Sequence, residues 1–83
     1  MTRGQIEAEV VAALVQMFEL DPTAVTPAAR LTEDLELDSL DAVDMAARMQ
    51  EMTGERVPEQ ALRKIRTVGD VVDQIESTLR RRG

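Results

Sequence analysis

The sequence predicts an all-α fold: a small four-helix bundle with three longer helices, a short third helix and a long first loop. Apolar residues recur at spacings of three and four in each periodic stretch, and no stretch shows the period of two that is typical of a half-buried strand. The chain has 83 residues, enough for one small domain, so we assign residues 1–83 to a single domain without repeats.

The first helix is predicted over residues from about 3 to 20. Its apolar residues share one face at helical spacing: Ile6, Val10, Ala13, Leu14 and Met17. Pro22 ends it, because proline removes a backbone donor and clashes within a helix.

Residues 21–38 form a connection that is long for so small a domain. Connections of this length are usually functional or disordered, and the leucines in this one argue against disorder. We therefore expect an ordered loop with room for a short helical turn. The residues that pin it to the core are predicted to be Leu31, Leu35 and Leu37.

The second helix is predicted to begin after Asp38, which can cap it together with Asp41 in a capping box. It should end near Thr53 and Gly54, since glycine readily takes the left-handed conformation at a helix end. Its predicted apolar face consists of Leu40, Val43, Ala46, Ala47 and Met49.

Two further helices complete the predicted bundle. Pro58 suits the first turn of a short third helix, and Thr67 with Asp70 forms a capping box for the fourth. The inward residues of the third helix are predicted to be Ala61, Leu62 and Ile65. Those of the fourth are Val68, Val71, Val72, Ile75 and Leu79.

The composition excludes several classes of function. With no His and no Cys, the chain lacks the ligands of an ordinary zinc site and the parts of a Ser-His-Asp triad, so we expect no enzyme activity and no intrinsic metal. A net charge of −6 opposes binding to nucleic acid. No apolar run could span a membrane and no signal core follows Met1, so we expect a soluble, cytoplasmic monomer.

The acidic residues concentrate in one region, since residues 31–51 contain seven carboxylates and one arginine. The simplest interpretation is a solvated helix face with a capped end. A calcium loop that opens at Asp34 fails, because the glycine of its turn would fall on Ser39 and its closing glutamate on Met45.

Ser39 lies at the predicted first position of the second helix, where free backbone N–H groups and the positive end of the helix dipole favour an anion. A phosphate ester on its hydroxyl would therefore be stabilised despite the neighbouring acids. The chain has no His to activate this hydroxyl as a nucleophile. Another protein would have to modify it.

The segment Leu35-Glu36-Leu37-Asp38-Ser39-Leu40-Asp41 resembles the phosphopantetheine attachment motif of acyl carrier proteins, whose core is Asp-Ser-Leu after a loop. The resemblance covers nearly the whole chain: a first helix, a long loop with prolines, Val57-Pro58 before a short third helix, and Thr67-Val68 at the start of the fourth. A chain with its own Met1 favours a free-standing, type II-like carrier that works with separate enzymes.

The resemblance implies that Ser39 carries 4′-phosphopantetheine, added from coenzyme A by a phosphopantetheinyl transferase with magnesium. Acyl groups would be held on this arm as thioesters and delivered to synthases or transferases with basic surfaces, in fatty acid, lipid or polyketide biosynthesis. The resemblance assigns partner recognition to Asp38, Leu40, Asp41, Asp44 and Glu51. It suggests an acyl pocket lined by Val43, Ala47, Met49, Val57, Leu62 and Ile65.

The chain departs from the family pattern at several positions. The glycine that is usual two residues before the aspartate is Glu36, and Arg48 interrupts the acidic stripe. Gln50, Arg56 and Arg63 replace acids that are common in fatty acid carriers. These differences indicate a specialised carrier whose partners differ from those of the housekeeping one.

Two alternatives stay open. A peptidyl or aminoacyl carrier of nonribosomal-type synthesis would usually have Gly-Gly where this chain has Glu36-Leu37. An unmodified acidic helical adaptor would bind basic partners by charge alone, and it would not need the hydroxyl of Ser39.

Overall fold

Four α-helices and one 3-10 turn make up most of the computed structural model, which describes residues 1–82 and, for Arg82, the backbone alone. These described residues form no strand, only one antiparallel bridge between Arg30 and Thr67, so the predicted all-α fold is confirmed. Gly83, the last residue of the predicted domain, lies outside them. The elements are α1 (Arg3–Phe18), the 3-10 turn (Pro22–Ala24), α2 (Ser39–Thr53), α3 (Glu59–Lys64) and α4 (Val68–Arg82).

α1 is closed at both ends by local hydrogen bonds. The Thr2 hydroxyl accepts the backbone N–H of Gln5 at 3.2 Å, and the Gln5 side chain accepts that of Thr2 at 2.8 Å. Glu19 ends the helix in the left-handed conformation, with φ of 54°. The helix therefore stops at Phe18, before the predicted residue 20, and the helical turn expected in the loop begins at Pro22.

The core lies mainly between α1 and α4. The residues predicted to face inward on α1 are buried apart from Met17, which is half-buried. Those of α4 are buried apart from the half-buried Leu79. At the edge of this interface the Arg3 guanidinium lies 2.7 Å from the Asp73 carboxylate and 3.2 Å from that of Glu76. The largest fully buried side chains are Ile6, Leu14, Met49, Ile75, Val68, Val71 and Val72.

The long loop is packed onto the bundle, as its leucines predict. Leu31, Leu35 and Leu37 are all buried. Backbone hydrogen bonds join the loop to the start of α4: the N–H of Gly69 donates to the Pro27 carbonyl at 2.9 Å, that of Val68 to Ala29 at 3.0 Å, and that of Leu31 to Arg66 at 2.9 Å. The loop therefore holds the segment before α2 in a defined place.

The predicted apolar face of α2 is wrong for three of its five residues, because Leu40, Val43 and Ala47 are exposed, whereas Met49 is buried and Ala46 half-buried. The residues that α2 buries are Met45, Met49 and Thr53, which follow one another at spacings of four. Leu40 and Val43 are 75% and 62% exposed. α2 has two apolar stripes on opposite sides, and only the methionine stripe faces α1 and α4.

α3 is a short helix that begins just after a proline. Pro58 takes an extended conformation, with φ of −62° and ψ of 145°, and occupies the capping position before Glu59. It thus lies before the helix rather than in its first turn. Leu62 and Ile65 are half-buried against the core, which places α3 beside α2 and the loop.

Candidate functional site

The first turn of α2 is fixed by the predicted capping box. One carboxylate oxygen of Asp38 accepts the backbone N–H of Asp41 at 2.9 Å, and the Asp41 carboxylate accepts the backbone N–H of Asp38 at 3.0 Å. The Asp38 carbonyl takes the first helical bond, from the N–H of Ala42 at 3.0 Å. The backbone on both sides of Ser39 is therefore held by reciprocal bonds.

Ser39 is the first residue of α2 and is exposed. Within residues 1–82, no group forms a hydrogen bond with its hydroxyl. The N–H groups of Ser39 and Leu40 precede the first intrahelical donor, so they point out of the helix at the positive end of its dipole. The site thus offers a free hydroxyl beside an anion-stabilising helix end, with no base of its own to activate it.

Glu36 gives the loop before Ser39 a strained turn. Its φ is 57°, in the left-handed region that favours glycine. The leucines on either side are buried, and the N–H of Leu37 donates to the Leu31 carbonyl at 3.0 Å. Glycine is usual at this position in the family that the segment resembles, and the geometry gives a reason: the turn requires a conformation that side chains disfavour.

The acidic residues of α2 differ in their availability. Asp44 and Glu51 are exposed, and Glu51 also lies 3.7 Å from the Arg48 guanidinium. Asp38 and Asp41 bind each other's backbone in the capping box, and Asp41 is half-buried. All four charges remain at the surface. Among these four carboxylates, Asp44 has no partner in the described residues, and Glu51 is held only by a long ion pair at the surface, which a binding partner could displace.

The outward apolar stripe of α2 consists of Leu40, Val43 and Ala47, which are exposed on the same side of the helix as Asp44 and Glu51. We predicted Val43 and Ala47 to line an interior pocket, and the structure places both in solvent instead. The sequence analysis therefore failed to identify Val43 and Ala47 as surface residues. The sequence held only part of the signal. Met45 and Met49 mark a second apolar stripe at a spacing of four, but the packing of α1 and α4 decides which of the two stripes is buried.

The other residues predicted for an acyl pocket lie inside or at the edge of the bundle. Met49 is buried, while Val57, Leu62 and Ile65 are half-buried. The gap beside Met49, between α1, α2 and α4, measures only about 10 Å³. Leu62 and Ile65 instead line an open groove of about 550 Å³ next to Asp38. The structure thus does not bring the six predicted residues together.

Neither a metal centre nor a membrane segment is present in the described part of the chain. Its carboxylates form no cluster of three that could hold an ion. Within residues 1–82, each helix falls short of the length and hydropathy that a membrane crossing needs.

Comparison with known proteins matches this geometry to a family. The family model described as a phosphopantetheine attachment site matches residues 8–75. Acyl carrier protein 2 of Ralstonia nicotianae is 44% identical over 79 residues, which cover 95% of this chain and 98% of that protein. The chain belongs to the acyl carrier protein family.

Other relatives agree in sequence and in fold. The acyl carrier protein of Thermosynechococcus vestitus is 35% identical over 93% of this chain and 95% of its own length. The meromycolate extension acyl carrier protein of Mycolicibacterium smegmatis is 35% identical over 84% of this chain and 75% of its own. A solved structure of the acyl carrier protein from Enterococcus faecalis has a TM-score of 0.78 at 27% identity, and the match covers 94% of this chain and 99% of that one.

Membership confirms two predictions about this acyl carrier protein. The chain is a carrier of acyl groups rather than an enzyme, and it has the domain to which phosphopantetheine is attached. Such a carrier works with a transferase that attaches the arm and with synthases that use the cargo. The bundle of four helices without strands in the described residues is the fold of this family.

Proposed function

We propose that the chain carries acyl groups as thioesters on a 4′-phosphopantetheine arm joined to Ser39, and that it delivers them to enzymes of fatty acid, lipid or polyketide biosynthesis. The observation that supports this most directly is the exposed, unpartnered hydroxyl of Ser39 at the first position of α2. The arm supplies a flexible tether that ends in a thiol, which a chain without Cys lacks.

The first turn of α2 suits a phosphodiester at Ser39. In that transfer the Ser39 oxygen would attack the phosphorus of coenzyme A that bears pantetheine, the P–O bond from this phosphorus to the nucleotide half would break, and the nucleotide half would leave with the bridging oxygen. Because the chain has no His, the transferase and its magnesium ion must take the serine proton and stabilise the leaving group. The free N–H groups of Ser39 and Leu40, at the positive end of the α2 dipole, then stabilise the diester anion.

Partner enzymes would bind the outward face of α2. Leu40 and Val43 provide an exposed apolar centre, and Asp44 and Glu51 provide carboxylates for basic surfaces. Such charge complementarity mainly accelerates encounter and rejects wrong partners, while a small apolar centre allows rapid release. Asp38 and Asp41 contribute mainly by holding the first turn in place. This division of roles suits a carrier that visits several enzymes.

The first test measures intact mass before and after incubation with coenzyme A, magnesium and a broad-specificity phosphopantetheinyl transferase. We expect one added phosphopantetheine on the wild type and on Ser77→Ala, and none on Ser39→Ala. Ser77 is an exposed serine within α4 and is the matched control. Addition to Ser39→Ala would contradict the assigned site. A folded apo-protein that accepts no arm would favour the unmodified adaptor.

The second test measures kcat/KM of arm transfer for variants of the α2 face. We expect Val43→Gln and Asp44→Lys to lower it, and the loss in Asp44→Lys to shrink as salt screens the charges. Glu9→Lys makes the same charge change on the exposed face of α1 and should leave kcat/KM near the wild-type value. Equal losses in Asp44→Lys and Glu9→Lys would show that net charge alone matters.

The setting we propose for this carrier is a single cytoplasmic domain that acts as a monomer. Glu36 and the arginines at positions 48, 56 and 63 support a specialised set of partners, because they change the loop and the surface charge that partners meet. Equal exchange of acyl groups with standard fatty acid synthesis enzymes would contradict that specialisation.

A further inference from the structure

A groove of about 550 Å³ lies beside the start of α2, between that helix, α3 and the loop that joins α1 to α2. This volume falls within the range of small-molecule sites, about 300–1,000 Å³. Asp38, the residue before Ser39, is part of its lining. Its apolar lining consists of Leu31, Leu37, Ala42, Met45, Leu62 and Ile65.

Cations outnumber carboxylates around this groove, although the net charge of the chain is −6. Arg30, Arg63 and Arg66 line it, together with the carboxylates of Glu33 and Asp38. Two other surface grooves have the opposite balance. The groove beside Phe18 has two carboxylates and one arginine, and the one between α3 and α4 has two aspartates and one lysine.

Arg66 is the cation of this groove that is left for a ligand. The Arg30 guanidinium lies 3.5 Å from the Glu33 carboxylate. Arg63 lies 2.7 Å from the carboxylate of Glu59. Within residues 1–82, no carboxylate forms an ion pair with Arg66, which is exposed.

The carboxylate nearest in sequence to Arg66 on α4, that of Asp70, caps the helix by accepting backbone N–H groups and does not form an ion pair with the Arg66 guanidinium. Its pKa is lowered mainly by the backbone N–H of Arg66, 2.9 Å from the carboxylate, and less by the N–H of Thr67 and the Arg66 charge. Asp70 also does not line the groove. The Arg66 guanidinium therefore remains available to an anion inside it.

We propose that the groove binds an acyl group that carries a carboxylate, with its methylene segment against the apolar lining and its carboxylate on Arg66. The inference rests on the proposed attachment at Ser39, which brings the cargo next to Asp38 in the lining of the groove. A chain that ends in a methyl group would leave the Arg66 guanidinium unpaired. A carboxylate forms charge-assisted hydrogen bonds with it, and these are stronger than neutral ones.

The test compares two cargoes of equal length, octanoyl and octanedioyl, loaded by the transferase from their coenzyme A thioesters. Mass spectrometry first verifies loading and then follows cleavage of each thioester by neutral hydroxylamine, relative to the same thioester on free pantetheine. We expect octanedioyl to be cleaved about threefold more slowly than octanoyl, the size of effect that one partly exposed ion pair gives. The difference should largely disappear at about 0.5 M NaCl.

Two variants locate the effect. Arg66→Gln should remove the difference between the cargoes, and its fold should be preserved because only its backbone binds other residues in the structure. Arg80→Gln removes an exposed arginine of α4 that does not line the groove and should keep the difference. Equal protection of both cargoes in the wild type, or an unchanged difference in Arg66→Gln, would overturn the proposal.

A second anion, the phosphodiester at Ser39, could compete for Arg66, and the same variants distinguish it. In that case Arg66→Gln would shift the phosphorus NMR resonance of the arm before any cargo is loaded, and it would change the cleavage of both thioesters equally. That pattern would overturn the carboxylate assignment while leaving the attachment at Ser39 intact. A chain that never acquires the arm contradicts the proposed function and the inference together.

Discussion

α2 and α4 have the same length, 15 residues, and both begin with a capping box, yet they use their apolar residues differently. α4 buries four aliphatic side chains, at positions 68, 71, 72 and 75. α2 buries two methionines and a threonine and turns Leu40, Val43 and Ala47 to solvent. A helix that keeps apolar residues at the surface loses the stabilisation that their burial would give. The difference indicates that α4 holds the fold and α2 serves partners.

The two capping boxes have different surroundings as well. The box of α4 lies where the long loop crosses, and the backbone of Val68 and Gly69 donates to that loop. The box of α2 stands at the surface and leaves Ser39 exposed beside it. The same local motif therefore anchors the loop in one place and presents a hydroxyl in the other.

The largest expected effect is a difference in the free energy of unfolding between a buried residue of α4 and an exposed residue of α2. Ile75→Ala should lower the free energy of unfolding by about 3 kcal/mol, because it leaves a cavity among packed aliphatic residues. Leu40→Ala should change it by less than about 0.5 kcal/mol. Urea unfolding followed by circular dichroism measures both, since the chain has no Trp or Tyr to report by fluorescence.

Ile75→Val is the variant to measure if Ile75→Ala does not fold. It should cost about 1 kcal/mol and remain measurable. A cost for Leu40→Ala similar to that of Ile75→Ala would show that Leu40 is packed in solution. The outward face of α2 would then lose its role in partner binding.

The next effect concerns two glycines at the same position, the second residue of α1 and of α4. An added Cβ at Gly69 would lie 3.0 Å from the Pro27 carbonyl oxygen, whereas at Gly4 the nearest atom is the Thr2 hydroxyl oxygen, 3.9 Å away. Gly4→Ala should raise the free energy of unfolding by about 0.7 kcal/mol, through helix propensity. Gly69→Ala should lower it by about 1 kcal/mol, because the loop must shift.

Thermal and urea unfolding of both glycine variants test this difference in sign. Gly4→Ala is the matched control, since the substitution and the helix position are the same. If Gly69→Ala stabilised the protein as much as Gly4→Ala, the loop would yield easily. The contact between the loop and α4 would then not be what positions Ser39.

The start of α4 should make the stability of the protein depend on pH. The pKa of Asp70 is lowered, mainly by the backbone N–H of Arg66, so its stabilising effect is present above the ordinary aspartate pKa and is lost as the pH falls through the lowered one. Asp70→Ala should cost about 1 kcal/mol near neutral pH. The cost should begin to shrink below about pH 4, where the aspartate of the unfolded chain takes up a proton, and it should disappear only below the lowered pKa of the folded protein.

Asp44→Ala is the control for this pH series, because Asp44 is exposed and caps no helix. Unfolding by urea at several pH values should show little difference from the wild type at any of them. A cost for Asp70→Ala that stayed constant down to strongly acidic pH would mean that the carboxylate charge does not stabilise α4.

Local signals explain how much of this structure the sequence predicts. The helix starts at Asp38 and Thr67 follow from capping boxes, which act within four residues, and the buried loop follows from its leucines. The inward face of α2 could not be predicted in the same way, because both of its stripes are apolar and the positions of α1 and α4 decide which is buried. The groove could not be predicted either, since Arg30 and Arg66 come to line it together only because the loop pairs with the residues just before α4.

The smallest expected change in the free energy of unfolding is at Glu36, in the loop that leads to Ser39 and α2. Its left-handed backbone costs a non-glycine residue about 1–2 kcal/mol, and glycine returns part of this through its greater freedom in the unfolded chain. We therefore expect Glu36→Gly to raise the free energy of unfolding by about 0.5 kcal/mol. Glu36→Ala, which keeps the strain and removes the charge, should leave it unchanged and is the control.

The same pair of variants tests whether Glu36 sets transferase preference by strain or by charge. If the loop conformation matters, arm transfer to Glu36→Gly should differ from that to Glu36→Ala. If the carboxylate matters, the two variants should behave alike and both should differ from the wild type. A rate of arm transfer equal to wild type in both would contradict a role for Glu36 in partner choice, and it would leave the outward face of α2 to determine it.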